Sequence, residues 1–315
     1  MVKRIDLLSV LLLGTSAFTQ PVIDWQQIYG GSEFDRAYCI DRTSDGGYIV
    51  TGESSSSDGD VIGIHEGPAT QDAWVIRLDA EGSLLWQNAL GGSGWEVGVD
   101  VKQTLDGGFI MTGSTNSSDG DVTEMFGGSD IWVVKLDATG GILWEHSFGG
   151  SGSESPWALE ELDNGDIVIT GETTSNNGHM TGCDGSTEFW LARLSATGEL
   201  LWSNCLGGGH VDSVRDLTVF PDGSVGLVGW TRSTDGDVTG IHGSGDPPQP
   251  DTWVVKSYAN GELEWQTCLG GSANDAGWAI EVAPNGKVYV ASTALSTDGD
   301  VSTQLGGGDY WVARL

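Results

Sequence analysis

Apolar positions along the chain fall into short runs, β-branched or aromatic, bounded by Gly, Asp and Asn. Tyr48-Ile49-Val50 follows the turn Asp45-Gly46-Gly47, and Ala73–Leu78 and Leu84–Leu90 follow in order. None carries the three-to-four-residue spacing of an amphipathic helix, so these runs predict strands. The same runs return five times. Trp25, Trp86, Trp144, Trp202 and Trp265 each stand five residues before a Gly-Gly pair, at spacings of 61, 58, 58 and 63. A second series, Trp74, Trp132, Trp190, Trp253 and Trp311, opens strands that end in Arg77, Lys135, Arg193, Lys256 and Arg314. The turn before the second strand recurs at Asp45, Asp106, Asn164, Asp222 and Asn285.

Each repeat therefore supplies four strands, in the first at about 37–43, 48–53, 73–78 and 84–90. Four strands recurring about every 60 residues read as a β-propeller blade, with a flat or solenoid stack as the alternative. The last repeat stops four residues after Trp311, short of a fourth strand, whereas 22–29 reads as a fourth strand without a third. Pairing 22–29 beside 309–315 would remove two exposed edges. The expected fold is all-β: a closed five-bladed propeller of four antiparallel strands per blade, a single domain over 21–315.

The segments Leu78-Asp79-Ala80-Glu81-Gly82-Ser83-Leu84-Leu85-Trp86 and Leu136-Asp137-Ala138-Thr139-Gly140-Gly141-Ile142-Leu143-Trp144 resemble the tryptophan-docking stretch of quinoprotein-like propeller blades. The phrase Asp-Gly-Gly-Tyr-Ile-Val-Thr-Gly, then Ser-Asp-Gly-Asp-Val and a Trp-Val strand, resembles repeats of secreted bacterial cell-surface proteins. That resemblance implies a blade type in which the Trp packs between blades, and export. It implies no settled activity, and the acidic and calcium residues of quinone dehydrogenases find no match here.

Lys3 and Arg4, the apolar run Leu7–Leu13 and a small-residue exit through Gly14 and Thr15 read as a signal peptide over 1–20. The expected location is extracellular or at the cell surface, with the periplasm as the alternative. No later stretch reaches the length of a membrane span. Thirteen Lys plus Arg against 45 Asp plus Glu, a net charge of −32, exclude electrostatic binding to nucleic acid and disfavour anionic lipid. Cys205 and Cys268 share one register in different repeats, too far apart to bridge. Buried free thiols are the expectation for these two and for Cys39 and Cys183.

Asp35, Glu96, Glu154, Asp212 and Asp275 share one register after the Gly-Gly turns. Such carboxylates could ring a channel mouth and hold a cation, or, at Glu96 and Glu154, supply the acid and base of a glycosidase. They could equally accept N–H groups of their own turns. A second acidic motif, Asp58/Asp60, Asp119/Asp121, Asp235/Asp237 and Asp298/Asp300, becomes Asn177 and His179 in the third repeat. Together with Asp72, Asp130, Asp251 and Asp309, it offers oxygens for calcium, the one cofactor with a candidate site, or forms plain turns. Ten of the 14 Trp belong to the two series. Of the rest, Trp157 and Trp278 share a register with Tyr38 and Arg215; with Trp95 they are candidate platforms for a sugar ring, against ordinary core packing. His65 and His242 share a loop register and are expected to face solvent. The expected function is a secreted, monomeric, non-enzymatic module that binds a glycan or cell-surface protein, or serves as a surface scaffold. A carbohydrate-active hydrolase is the alternative.

Overall fold

The computed structural model describes residues 23–65 and 71–315, so the expected signal peptide lies outside the described residues. Nineteen strands and no helix appear among them, and no helix is long and apolar enough to cross a membrane. The first sheet contains β1 (Asp35–Arg42), β2 (Tyr48–Ser54), β3 (Asp72–Leu78) and β4 (Leu84–Leu90). The second has β5 (Glu96–Gln103), β6 (Phe109–Thr115), β7 (Asp130–Leu136) and β8 (Ile142–Phe148). The third has β9 (Glu154–Glu161), β10 (Ile167–Thr173), β11 (Glu188–Leu194) and β12 (Leu200–Leu206). The fourth runs through β13 (Asp212–Val219), β14 (Val225–Thr231), β15 (Asp251–Ser257) and β16 (Leu263–Leu269). The fifth stops at three: β17 (Asp275–Val282), β18 (Val288–Ala294) and β19 (Asp309–Arg314). Every sheet is an antiparallel meander in chain order, as propeller blades are.

In the first three sheets the basic residue that ends the Trp-led strand has a local purpose, whereas Lys256 of the fourth reaches Glu264 instead. Arg77 reaches Asp45, Lys135 reaches Asp106 and Arg193 reaches Asp166, so the third strand ties down the hairpin between the first two. Thr43, the Gly47 amide and Arg77 together hold Asp45 down at about 2. At Asp106, Lys135 and Thr104 overcome the opposing effect of burial and also bring it to about 2.

Between sheets the core is apolar. Trp132 meets Ile49 and Val75 of the first sheet, Trp190 meets Ile110 and Val133, and Trp253 meets Val168 and Leu191. The buried indole N–H of Trp74, Trp132 and Trp253 donates to Gln87, Glu145 and Gln266. In the third sheet that acceptor position is Ser203, too short to reach, and Trp190 Nε1 has no partner among the described residues. The other Trp series docks on the next sheet's turn: Trp86 lies on Gly140, Trp144 on Gly198 and Trp202 on Gly261. Gly140 has φ +90° and would place a Cβ 3.0 Å from Trp86, so this turn needs glycine twice over.

The ends of the row depart from expectation. Residues 23–29 form no strand and do not pair with β19. They lie on the first sheet instead, where Trp25 sits over Gly82 and Tyr48 and the Tyr29 hydroxyl donates to the Gly82 carbonyl. Trp25 thus docks on the first sheet as Trp86 docks on the second. The fifth sheet packs on the fourth through β17, and Ile28 and Tyr310 are both almost wholly exposed. The expected pairing of 22–29 beside 309–315 is not made, since β19 pairs with β18 alone.

Candidate functional site

The first strand of every sheet carries a β-bulge at one register. The pairing skips Tyr38, Val99, Trp157, Arg215 and Trp278 in turn. A bulge re-aims the extra residue out of the regular alternation, which is why such irregularities serve binding sites. Three neighbouring sheets use it to build one cluster. The Arg215 guanidinium carbon stands 4.1 Å from the Trp157 ring centre and 5.5 Å from that of Trp278. Glu172 on β10 accepts from Arg215 Nη1 at 2.6 Å and from Trp157 Nε1 at 3.0 Å, and also from the Ser213 hydroxyl. Trp278 donates its Nε1 to Thr293 at 3.1 Å and leaves its ring 53% exposed.

The first sheet has a smaller version. Arg36 lies over Phe34 and Tyr38, at 4.8 and 5.4 Å, and the Tyr38 hydroxyl donates to Glu53 at 3.2 Å. Glu53 and Glu172 hold one register on the second strand, a repeat legible in the sequence but overlooked there. Trp95 stands apart from both clusters, in the turn before β5, its amide donating to Asn116. Chemically, the third-to-fifth-sheet cluster is a cation stacked on indoles with its charge matched by Glu172, beside an open aromatic face. Such a surface suits the flat face of a sugar ring better than a free anion.

The register carboxylates are occupied elsewhere. Asp35, Glu96, Glu154, Asp212 and Asp275 each accept an N–H from the second Gly of their own turn, at 2.8–3.0 Å. Hydroxyls such as Thr115 on Glu96 and Thr173 and Ser175 on Glu154 complete the set. Glu96 and Glu154 are fully buried.

The second acidic motif clamps the same turns. Asp58 accepts from Ser32, Asp119 from Ser93, Asp235 from Gly209 and Asp298 from Ser272. Asp60, Asp121, Asp237 and Asp300 accept from Gly30, Gly91, Gly207 and Gly270. In the third sheet Asn177 Oδ1 and His179 Nδ1 accept from Ser151 and Gly149 in the same way. A substitution that keeps the acceptor and discards the charge marks a hydrogen-bonding role. Among the described residues no loop acids converge as three ligands; the one such group is Cys183, Glu188 and Cys205.

Those two cysteines are a disulfide, with Cα atoms 5.2 Å apart, which corrects the expectation of four free thiols. Cys205 meets the loop cysteine of its own sheet, while Cys268 stays buried and free. Burial, then nearby acids, pushes the Cys39 and Cys268 thiols up to about 12.

Asp72, Asp130 and Asp251 are buried at the sheet junctions, each with one oxygen lacking any partner among the described residues. Asp309, the fifth member of that register, accepts the Leu305 amide at the open end. Desolvation raises the first three above the usual carboxylate range, and the neighbouring Glu96, Glu154 and Asp275 add to it. At the third junction burial pushes Glu188 up to about 7 and Asp212 up to about 6. His65 and His242 do not simply face solvent: each Nδ1 meets Asp72 or Asp251 at 2.7 Å.

The chain matches no family model. It is similar to the regulatory protein FlaEY of Caulobacter vibrioides, 28% identical over 279 residues, covering 78% of this chain and 28% of that protein. It therefore spans less than a third of that relative's length. A protein of unknown function from Dyadobacter fermentans aligns with TM-score 0.47 and 13% identity, covering 85% of this chain and 78% of its own. A thermostable family-43 glycoside hydrolase aligns with TM-score 0.40 and 12% identity, covering 88% and 87%. None of these likenesses carries an activity to this chain.

Proposed function

We propose that the chain is an exported propeller with quinoprotein-like blades that binds a glycan at the Trp157–Arg215–Trp278 cluster without cleaving it. The observation that carries this reading is the shared bulge register, which aims Trp157, Arg215 and Trp278 from three sheets into one cluster. The half-exposed Trp278 supplies the stacking face, and Glu172 fixes Arg215 and Trp157 in place. Preorganised aromatic platforms lower the entropic cost of binding. The Cys183–Cys205 bridge is in keeping with an oxidising compartment. A glycan array tests the reading, followed by calorimetry on the best ligand and assay of its breakdown products. Trp278→Ala should weaken binding about tenfold or more, leave the melting temperature nearly unchanged, and release no product before or after the change. Unaltered binding in Trp278→Ala, or turnover of the ligand, would refute it.

A further inference from the structure

The two ends of the row carry matching halves of the interface that the four internal junctions already use. Val101, Leu159, Leu217 and Ile280, one register on the first strand, are buried under the preceding sheet. Their counterpart in the first sheet, Ile40, is 60% exposed. On the third strand Val75, Val133, Leu191 and Val254 are buried under the following sheet, whereas Val312 is 69% exposed. Tyr310 stands where Ala73, Ile131, Phe189 and Thr252 are buried, yet is 99% exposed.

The edges match as well. β19 pairs only with β18, so its outer row of N–H and C=O groups has no strand partner among the described residues. Residues 23–29 already sit on the first sheet as a fourth strand of a preceding sheet would, with Ile28 95% exposed. Beside them a cavity of about 380 Å³ opens between Trp25, Ile28, Tyr29, Ile40, Val50 and Trp74.

We propose that a second copy of this chain docks head to tail, its residues 23–29 pairing with β19 and its Ile40 face covering Tyr310 and Val312. The occupant follows from continuity: the repeat makes the outward face of the fifth sheet the natural partner of the outward face of the first. The register follows from the β3–β4 pairs Ala73↔Leu90, Trp74↔Ala89, Val75↔Asn88 and Arg77↔Trp86. Transferred to the new contact, they place Tyr29 opposite Tyr310, Ile28 opposite Trp311, Gln27 opposite Val312 and Trp25 opposite Arg314. The contact is heterologous, so it builds a ring or an open row according to whether the rotation closes. A net charge of −32 on each copy opposes it, and salt should strengthen the association by screening that repulsion.

Sedimentation of the chain over a range of concentration and salt, joined to a complementation experiment, tests the proposal. The wild type should grow heavier than a monomer with concentration, and more so at high salt. Ile40→Asp and Val312→Asp, both at exposed positions, should each weaken self-association about tenfold or more. Mixed, they should form a one-to-one pair, because one chain keeps an intact fifth-sheet face and the other an intact first-sheet face. Gln27→Cys chains mixed with Val312→Cys chains should give an oxidised heterodimer that wild-type thiols do not. A wild type that stays monomeric at every concentration and salt would overturn the proposal. So would variants that fail to complement, or a Gln27→Cys/Val312→Cys chain that cross-links only within itself.

Discussion

The second to fourth sheets and the two end sheets are made from one repeat, yet they differ in what their side chains meet. In the middle Trp132, Trp190 and Trp253 are fully buried, each between its own sheet and the one before. At the ends the equivalent Trp311 is half-buried and Ile40, Tyr310 and Val312 face outward. The repeat therefore specifies an interface rather than a free-standing unit, as expected where each repeat buries its apolar face only against neighbours. The same contrast places the candidate site. Trp157 and Arg215 come from sheets that are covered on both sides, while Trp278 comes from the end sheet and keeps an open ring.

The largest expected effect separates middle from end. Trp190→Ala should cost about 3–5 kcal/mol in chemical denaturation, as large-to-small core changes do, whereas Trp311→Ala in dilute solution should cost well under half as much. Equal losses would mean that the end sheets are covered as fully as the middle ones. Breaking the third sheet's bridge with Cys205→Ser, which opens a 22-residue separation, should cost about 2–4 kcal/mol under oxidising conditions and nothing extra under reductant. Glycines make a finer contrast. Gly198 (φ +85°) lies under Trp144 and His146, and Gly286 (φ +76°) has open space around it. Gly198→Ala should thus lose about 2–3 kcal/mol and Gly286→Ala about 1, read from denaturation midpoints.

The junction carboxylates add a pH dependence whose sign is fixed by their raised pKa values. A carboxylate raised on folding contributes fully below its unfolded pKa, and that contribution is lost as pH rises through the folded value. The melting temperature should therefore fall between about pH 4 and pH 7, up to the values near 6 and 7 of Asp212 and Glu188. Glu188→Gln should flatten the upper part of that fall. Asp45 and Asp106 act in the opposite sense, so stability should also decline as pH drops from about 4 through 2. The smallest effect is a gain: Ser203→Gln would offer Trp190 Nε1 the acceptor its counterparts have, adding about 1 kcal/mol.

Much of this was legible in the sequence. Within the sheets the strand boundaries and the two Trp series appear in the structure nearly as read, because short apolar runs between Gly and Asp turns leave little else to form; the exception is 22–29, read as a strand, whose described residues form none. The pairing of Trp157 with Trp278 was visible as a shared register, although its cause, a bulge, is a property of pairing between strands. Glu172 escaped notice because its significance depends on Arg215 arriving from the next sheet. The Cys183–Cys205 bridge was missed for a similar reason: the loop cysteine has no counterpart in the other repeats, so register arguments could not place it. The loop acids left calcium ligation and plain turns both open, because Asp-Gly-Asp carries oxygens that suit either; the structure shows those oxygens accepting N–H groups of the Gly-Gly turns.

The contrast between covered and uncovered sheets is tested most directly by amide hydrogen exchange, comparing β19 with β15 in one experiment. On this account, in dilute protein the alternate β19 amides that face away from β18 exchange far faster than those of β15, and they slow as concentration rises. Equal, concentration-independent protection of the two strands would contradict it.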